Sequence, residues 1–482
     1  MMLTIPSAIK PKKANDRARW LEQSLRLRML TGEFEQDVRD DIRRLFAAEI
    51  AADLELAPDL SRNTFLLVHQ QLATSYLEAP LVTAEGIDDD ALGPILTARL
   101  WPIQRENELK LRALNESVIR LDWSNKDSEV RYRIVDPDAL VLIPDKDYPD
   151  RAVGVEWLRY RSSASGKGHW TWEVWDISDK ANPVFRIDIV NNRGKRQDAT
   201  AEFAPELAGA YPYFDTQGQP ILPFILYHSQ VGAKLWDWRA GTELVSGTLR
   251  LCSLWSNWQD GFVNAAHPQR YALDADSQAG VTRNIGGVSV DVVPTDRNSI
   301  LKFSSSGAGA PQLSQFNPAM EPRSAAESLE VYERGLAIYA GLNPSDLQVT
   351  SGQSGYAIVV SRDGQRRKAK EIQSSLALAD TELLSTAAKL SNSYGATTLP
   401  EDPKEYHIHY RGDAESPVER QANVETVDKE LTLGLISKVD AIRRLNPTIK
   451  TDEDAVERLL AIQRANEILS FPPTISSEVT NE

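Results

Sequence analysis

Three short runs carry residue types that do chemistry elsewhere. Ser165-Gly166-Lys167-Gly168 contains the Gly-Lys pair of a phosphate-cradling loop. That loop needs a Gly with four residues between it and the pair, and Ser or Thr directly behind. Arg161 and Gly168 occupy those places, and the flanking residues read as two strands instead of a strand and a helix. A hairpin turn is the expected structure. His407 and His409 fall on one face of an alternating run, but no cysteine or carboxylate cluster stands nearby at ligand spacing. Packed or solvated imidazoles are therefore expected and a metal site is not. Arg411-Gly412-Asp413 matches an adhesion tripeptide by letters only. No nucleophile elbow, zinc-protease helix or kinase set is present. The reading is a protein that is not an enzyme, with no cofactor and no catalytic residue assigned.

One further pattern is electrostatic. Glu327, Glu330 and Glu333 recur every third residue in a run with helical periodicity. Spacing of i, i+3, i+6 reads as an acidic helix face, either solvated or turned toward something negatively charged.

The elements that must position such residues follow from periodicity. Residues 16–58 read as helix punctuated by Gly32, residues 61–78 as a helix capped by Ser61, and 90–114 as a helix kinked at Pro102. From Ser117 the period changes to two. Val118-Ile119-Arg120-Leu121-Asp122-Trp123 and Val130-Arg131-Tyr132-Arg133-Ile134 alternate, and strand-like runs continue at 139–143, 153–160, 169–177 and 184–190. This β-rich stretch closes on Leu222-Pro223-Phe224-Ile225-Leu226-Tyr227. A helix is predicted over 235–264, with Leu251, Leu254, Trp258 and Phe262 on one stripe and Leu244 and Trp255 at its margins. Residues 268–318 read as irregular with strand-like pieces at 288–293 and 300–303. A helix resumes at Pro322, which suits a first helical position, and runs to about Tyr339. A loop over 341–355, a long helix over 356–393 weakened at Gly364, a strand at 406–410, and helices at 417–433 and 451–469 complete the chain. The fold class is α+β. An excursion between two helices reads equally as a tip on a two-helix stalk or as a surface insertion.

Composition bounds the rest. The chain has 482 residues, 41% of them hydrophobic, a formal net charge of −15 and one cysteine, Cys252. A large core is affordable in surface terms, an intrachain disulfide is excluded, and a conventional DNA-gripping footprint is not expected. The start, Met1 to Asn15, lacks the apolar core of a signal peptide, and no run reaches membrane-spanning length. A soluble protein without membrane contact is expected.

Three stretches also bear a resemblance. Gly434-Leu435-Ile436-Ser437-Lys438-Val439-Asp440-Ala441-Ile442-Arg443-Arg444-Leu445 leads into Thr451-Asp452-Glu453-Asp454-Ala455-Val456-Glu457-Arg458-Leu459. Upstream, Tyr339-Ala340-Gly341-Leu342-Asn343-Pro344 precedes Ser354-Gly355-Tyr356-Ala357-Ile358, and Leu222-Pro223-Phe224-Ile225 ends the β-rich stretch. In this order and spacing they resemble the portal proteins of tailed bacteriophages, over roughly residues 20–470.

The resemblance implies a portal-type multidomain map. An N-terminal helical part of the wing would span 1–116 and a β-rich wing 117–234. The first stem helix would be 235–264, the clip 265–321, the second stem helix 322–341 and the tunnel loop 342–355. A long helix and wing strand would take 356–412, and a helical crown with a tail 413–482. It implies a closed ring of about twelve subunits at one capsid vertex of the virion, assembled in the host cytoplasm. The implied partners are the terminase large subunit, a head-to-tail adaptor, the major capsid or scaffolding protein, and double-stranded DNA passing without sequence recognition. On that map Glu327, Glu330, Glu333, Thr350, Ser351, Gln353 and Ser354 would line the channel. Asp274, Asp276, Arg283, Asp291, Asp296 and Arg297 would dock partners at the clip. Another virion connector or tail piece, or a hydrolase, is the alternative. The clip here is Ser/Gly-rich (304–309) and Gly364 interrupts the tunnel helix, both departures from the commonest family pattern.

Overall fold

A computed structural model describes residues 14–84, 86–162, 168–190, 195–207, 210–230, 235–236, 238–266, 269–273, 281–285, 288–292, 300–303, 312–316, 322–342, 363–395, 397–411, 417–446, 449 and 451–470. Over 269–316 only the backbone is described. The chain divides into two units, residues 1–348 with 364–412, and residues 349–363 with 413–482.

The first unit begins with helices α1 (Ala14–Thr31), α2 (Glu35–Leu45), α3 (Ala48–Leu54) and α4 (Thr64–Leu72). Gly32 separates the first two at a φ of 79°, a conformation that a Cβ opposes. The cap of α4 is Asn63, not Ser61. Its side chain accepts from Leu66 N, and the helix ends at Leu72 instead of reaching 78. Strand β1 (Leu81–Ala84) follows, and then α5 (Leu100–Leu114). Pro102 lies in the first turn of α5, where an N–H has no intrahelical acceptor, so it starts the helix where a kink was expected.

The β-rich stretch holds β2 (Glu116–Ser124), β3 (Glu129–Val135), β4 (Leu140–Pro144), β5 (Ala152–Ser162), β6 (Gly168–Asp176), β7 (Val184–Val190) and β8 (Arg196–Asp198). A single helical turn, α6 (Thr200–Phe203), and β9 (Phe224–His228) complete it. Strands β4 to β8 form an antiparallel meander in chain order, and β2 is central to a second sheet ordered β3-β2-β9. Residues 163–167 lie outside the described residues. Ser162 pairs with Gly168 across the antiparallel β5–β6 ladder, so the Gly-Lys run connects two strands of a hairpin. Val118, Leu142, Val155, Trp157, Trp175, Ile187 and Phe224 pack in one apolar cluster within this stretch.

Then come α7 (Thr242–Ala266), β10 (Gln269–Leu273), β11 (Val281–Ile285), β12 (Val288–Val292), β13 (Ile300–Phe303), β14 (Gln312–Phe316), α8 (Pro322–Tyr339), α9 (Asp363–Gly395) and β15 (Tyr406–His409). Helix α7 starts seven residues later than expected, because Gly241 holds a φ of 77° that resets the chain just before Thr242. Helix α9 passes through the apolar cluster formed with the β2 sheet, burying Leu376, Leu383, Leu384, Ala387, Ala388 and Leu390. Residues 356–362, where a helical start was expected, lie outside the described residues. Strand β15 pairs with β1, and His407 and His409 both project to solvent.

The second unit contains α10 (Pro417–Thr432), α11 (Lys438–Leu445) and α12 (Asp452–Ser470). Gly434, at a φ of 70°, closes α10, with Leu435 N donating to Glu430 O at 2.9 Å. Ser437 opens α11 through a reciprocal capping box with Asp440. The Gly-Leu-Ile-Ser run is thus a stop followed three residues later by a start.

Candidate functional site: two paired helices and the segment they carry

Helix α7 is embedded in the first unit. Leu244, Val245, Leu249, Leu251, Cys252 and Trp255 are buried in one cluster with Met29, Val38, Ile42, Phe65 and Leu72 from the N-terminal helices. The buried face is thereby wider than, and rotated from, the stripe expected over 251–262, and Phe262 is exposed. Polar anchors add direction. Asp41 on α2 accepts from Ser253 Oγ at 3.1 Å and from Arg250 Nε at 3.3 Å. Asp59 N donates to Ser256 Oγ, and Gln259 Nε2 donates to Asp59 Oδ2, both at 2.8 Å. Burial pushes the Cys252 thiol up to about 12, so it behaves as a small apolar group.

Helix α8 runs back along α7. At one end Tyr339 Oη donates to Glu243 Oε2 at 2.8 Å. One turn on, Gly247 faces Leu336 so closely that a Cβ would stand 2.4 Å from Leu336 Cδ2. At the far end Trp258 Nε1 donates to Pro322 O at 2.9 Å. The partner of a later α7 residue is always an earlier α8 residue, so the two helices are antiparallel. Ring contacts stiffen the far end of α7: Trp255 meets Trp258 edge-on at 5.0 Å, and Trp258 stacks on Phe262 at 5.6 Å.

The chain between them turns into sheet almost at once. β10 begins three residues after α7 ends and pairs antiparallel with β14, Gln269 opposite Phe316 and Leu273 opposite Gln312. β13 pairs with the other edge of β10 in parallel, and β11 and β12 form a separate hairpin. The two helices therefore continue into two paired strands, and residues 267–321 form one excursion closed at its base.

Five of the channel and clip residues named from the sequence fall within the described residues. Glu327 pairs with Arg323 at 2.9 Å, and Glu330 with Arg334 at 3.4 Å. Glu333 turns inward, to Arg62 at 3.5 Å and Thr64 Oγ1 at 3.4 Å, with only 13% of its side chain exposed. Steps of three residues fall about 60° short of a full turn each on a helix of 3.6 residues per turn. The three glutamates therefore spiral away from a common face, and each meets an arginine. The expectation of one purely acidic face is corrected on both counts. Arg283 and Asp291 lie on β11 and β12. Thr350, Ser351, Gln353, Ser354, Asp274, Asp276, Asp296 and Arg297 lie outside the described residues.

Sequence reasoning missed three parts of this arrangement. Arg62 bridges the helices, stacking 4.3 Å over the Trp255 ring while pairing with Glu333. Gly247 is the contact that sets the α7–α8 spacing, and a Gly inside a helical pattern was its available signal. The face of α8 turned away from α7 keeps Val331 and Ile338 at 65% and 59% exposure. That seven-residue spacing of apolar residues was legible but unread.

Elsewhere, Asp380 on α9 is a fully buried carboxylate with a raised pKa. It accepts from Tyr76 and Tyr410 at 2.6 Å, Tyr227 at 2.8 Å and Gln104 at 2.9 Å. Burial pushes it up to about 6 against the pull of the three phenol hydrogen bonds. Perturbed carboxylates can be catalytic. Here both oxygens are engaged by donors from four different segments, which fastens α9 to the body. Among the described residues no group of three metal-ligating side chains converges, and no helix is long and apolar enough to cross a membrane.

No protein-family model matches the chain, and no characterised protein matches it by sequence. Among solved structures it is similar to a chain in the neck of a native gene transfer agent particle with C12 symmetry, at 11% identity and a TM-score of 0.42, covering 80% of this chain and 88% of that one. A chain in the virion of the native gene transfer agent particle matches at 11% identity and a TM-score of 0.40, covering 79% and 88%. An HK97-family phage portal protein from Corynebacterium diphtheriae matches at 10% identity and a TM-score of 0.32, covering 71% and 92%. Likenesses this distant decide neither fold nor function, which rest on the contacts above.

Proposed function

We propose that this chain is one subunit of a phage portal ring, a channel through which duplex DNA enters and leaves a capsid. The observation that carries the reading is the antiparallel α7–α8 pair with a closed excursion at its end. Such a hairpin, repeated about an axis, gives a wall of helices with a docking tip at one mouth. A head-to-tail interface closes into a ring when its rotation closes, and the exposed Val331–Ile338 face of α8 supplies apolar surface for a neighbouring copy.

In this reading α7 and α8 are the stem, residues 267–321 the clip, residues 342–355 the tunnel loop and α10 to α12 the crown. The clip docks the terminase large subunit during packaging and the head-to-tail adaptor afterwards; Arg283 and Asp291 stand on its described strands. Glu327 and Glu330, each beside an arginine, give the channel wall a nearly neutral surface. Duplex DNA carries one charge per ~1.7 Å of axis and binds where free cations cluster. A wall of paired charges offers no such cluster, which favours sliding over gripping. Thr350, Ser351, Gln353 and Ser354 in the tunnel loop complete the lining. The chemical work belongs to the motor that docks, and the ring resides in the virion.

Native mass measurement of the purified full chain tests this directly. A closed oligomer of about twelve copies is expected. A stable monomer or dimer across the micromolar range overturns the reading.

A further inference from the structure

Where the two sheets of the β-rich stretch meet, one buried carboxylate is surrounded by more guanidinium groups than it can neutralise. Glu173 on β6 is 1% exposed. Its Oε1 accepts from Arg120 Nη1 at 2.5 Å and Trp175 Nε1 at 2.8 Å. Its Oε2 accepts from Arg159 Nη1 at 3.1 Å and from Arg161 Nη2. Burial alone would raise this carboxyl, but Arg120, Arg161 and Arg159, with the Trp175 hydrogen bond, hold it below the usual range. Arg120 spends two further donors on Asp122, at 3.0 and 2.8 Å. Arg133 stands opposite Arg120 in the β2–β3 ladder, exposed, with no hydrogen bond or ion pair among the described residues.

The tally of charge decides what is missing. Four guanidinium groups face two carboxylates, Glu173 and Asp122, leaving two positive charges in excess. Both oxygens of Glu173 are filled, so it has no capacity left for the spare donors. Arg161 Nε is buried and donates to nothing among the described residues. Arg159 and Arg161 both lie below the ordinary guanidinium value, first through burial and in part through repulsion from neighbouring guanidinium groups, Arg161 and Arg120 for the first and Arg120 and Arg133 for the second. Yet their side chains remain 28% and 20% exposed, so solvent reaches the cluster. His169 stands opposite Arg161 in the β5–β6 ladder. Arg133 and Asp122 reach an adjoining groove of about 570 Å³, where Arg99 and Arg131 are balanced by Asp127 and Glu129, so the surplus stays with the cluster. In a chain of net charge −15, a cluster with surplus arginine that solvent reaches is a local inversion of sign.

We infer that Arg120, Arg133, Arg159 and Arg161 form a binding site for a phosphate group, a tetrahedral dianion that matches the two surplus charges. Planar guanidinium forks bind phosphate oxygens through paired N–H donors, a geometry that a lone chloride cannot use. The site is independent of the channel reading, since it lies on β2, β3 and β5 and uses none of α7 or α8. The phosphate comes either as the free ion or as the terminal monophosphate of a nucleotide.

Calorimetric titration of the purified full chain with inorganic phosphate, against chloride at matched ionic strength, reads this out. Saturable phosphate binding without equivalent chloride binding is expected. Arg133→Gln, at an exposed and unpaired position, leaves the fold intact and weakens phosphate about tenfold, the effect of one charge-assisted contact. Glu173→Gln removes the competing carboxylate and tightens phosphate, a sign that a purely structural role for the cluster does not predict. A short 5′-phosphorylated oligonucleotide and its unphosphorylated form assign the source. Preference for the phosphorylated form identifies a terminal monophosphate, and binding of inorganic phosphate alone identifies the free ion. Equal response to phosphate and chloride, or an Arg133→Gln variant that binds phosphate as the parent does, overturns the site.

Discussion

Helices α7 and α8 share one interface yet live in different surroundings. α7 is buried along most of its length and anchored to the N-terminal helices through Asp41 and Asp59. α8 buries only Leu336 and Ala337, and its outer face carries Val331 and Ile338 in solvent. One helix is structural root and the other is presented surface. Burial separates what holds the hairpin up from what it displays, and the more charged helix is the displayed one.

Substitutions on the two sides should therefore part company. The largest expected effect is on the root: Leu251→Ala removes a fully buried side chain and should cost about 3 kcal/mol in urea unfolding. A loss below ~1 kcal/mol would mean that α7 is not embedded as described.

The body's second anchor, Asp380, adds a pH dependence of similar size. Its folded value of about 6 exceeds the ordinary 3.8, so protonation favours the folded state. That contribution is fully present below about pH 4 and lost as pH rises through 6, amounting to about 3 kcal/mol. Asp380→Asn should remove it. The stability difference between parent and variant should then change between pH 4 and 6, and a difference flat with pH would contradict the assigned burial.

A smaller effect is expected at the seam. Gly247→Ala gains helix propensity but drives a methyl group into Leu336, for a net loss of about 1 kcal/mol. The loss should vanish in a Leu336→Ala background, and additivity in that double-mutant cycle would show that the two residues do not touch. Smallest in stability is the outer face of α8. Val331→Glu with Ile338→Glu should change unfolding by less than ~0.5 kcal/mol while abolishing the oligomer seen by native mass measurement. Retained assembly would remove that face from the interface.

Much of the architecture was legible, and the reasons are local. Alternation at Val118–Trp123 and Val130–Ile134 marked β2 and β3 because Ile119, Leu121, Val130 and Tyr132 share one buried face, although Val118 is buried on the other. Pro322 marked the start of α8 because its fixed φ and missing N–H suit a first helical position. What failed was set by distant partners. Glu333 meets Arg62 across 271 positions, and no periodicity within α8 foretells that it turns inward. Leu235 and Trp236 look helical in a window but pack against the β-rich cluster ahead of Gly241. The Arg120–Glu173 cluster draws on four strands, β2, β3, β5 and β6, whose alternation announced only that the positions were polar. Tertiary approach gave them their chemistry.

The most direct test is a cryo-electron microscopy reconstruction of the purified chain in which α8 can be traced. The account predicts a closed ring with α7 and α8 antiparallel in every copy, α8 facing an axial hole that admits a duplex, and the excursion at one mouth. A particle without a central hole, or a ring in which α8 faces outward, would contradict it.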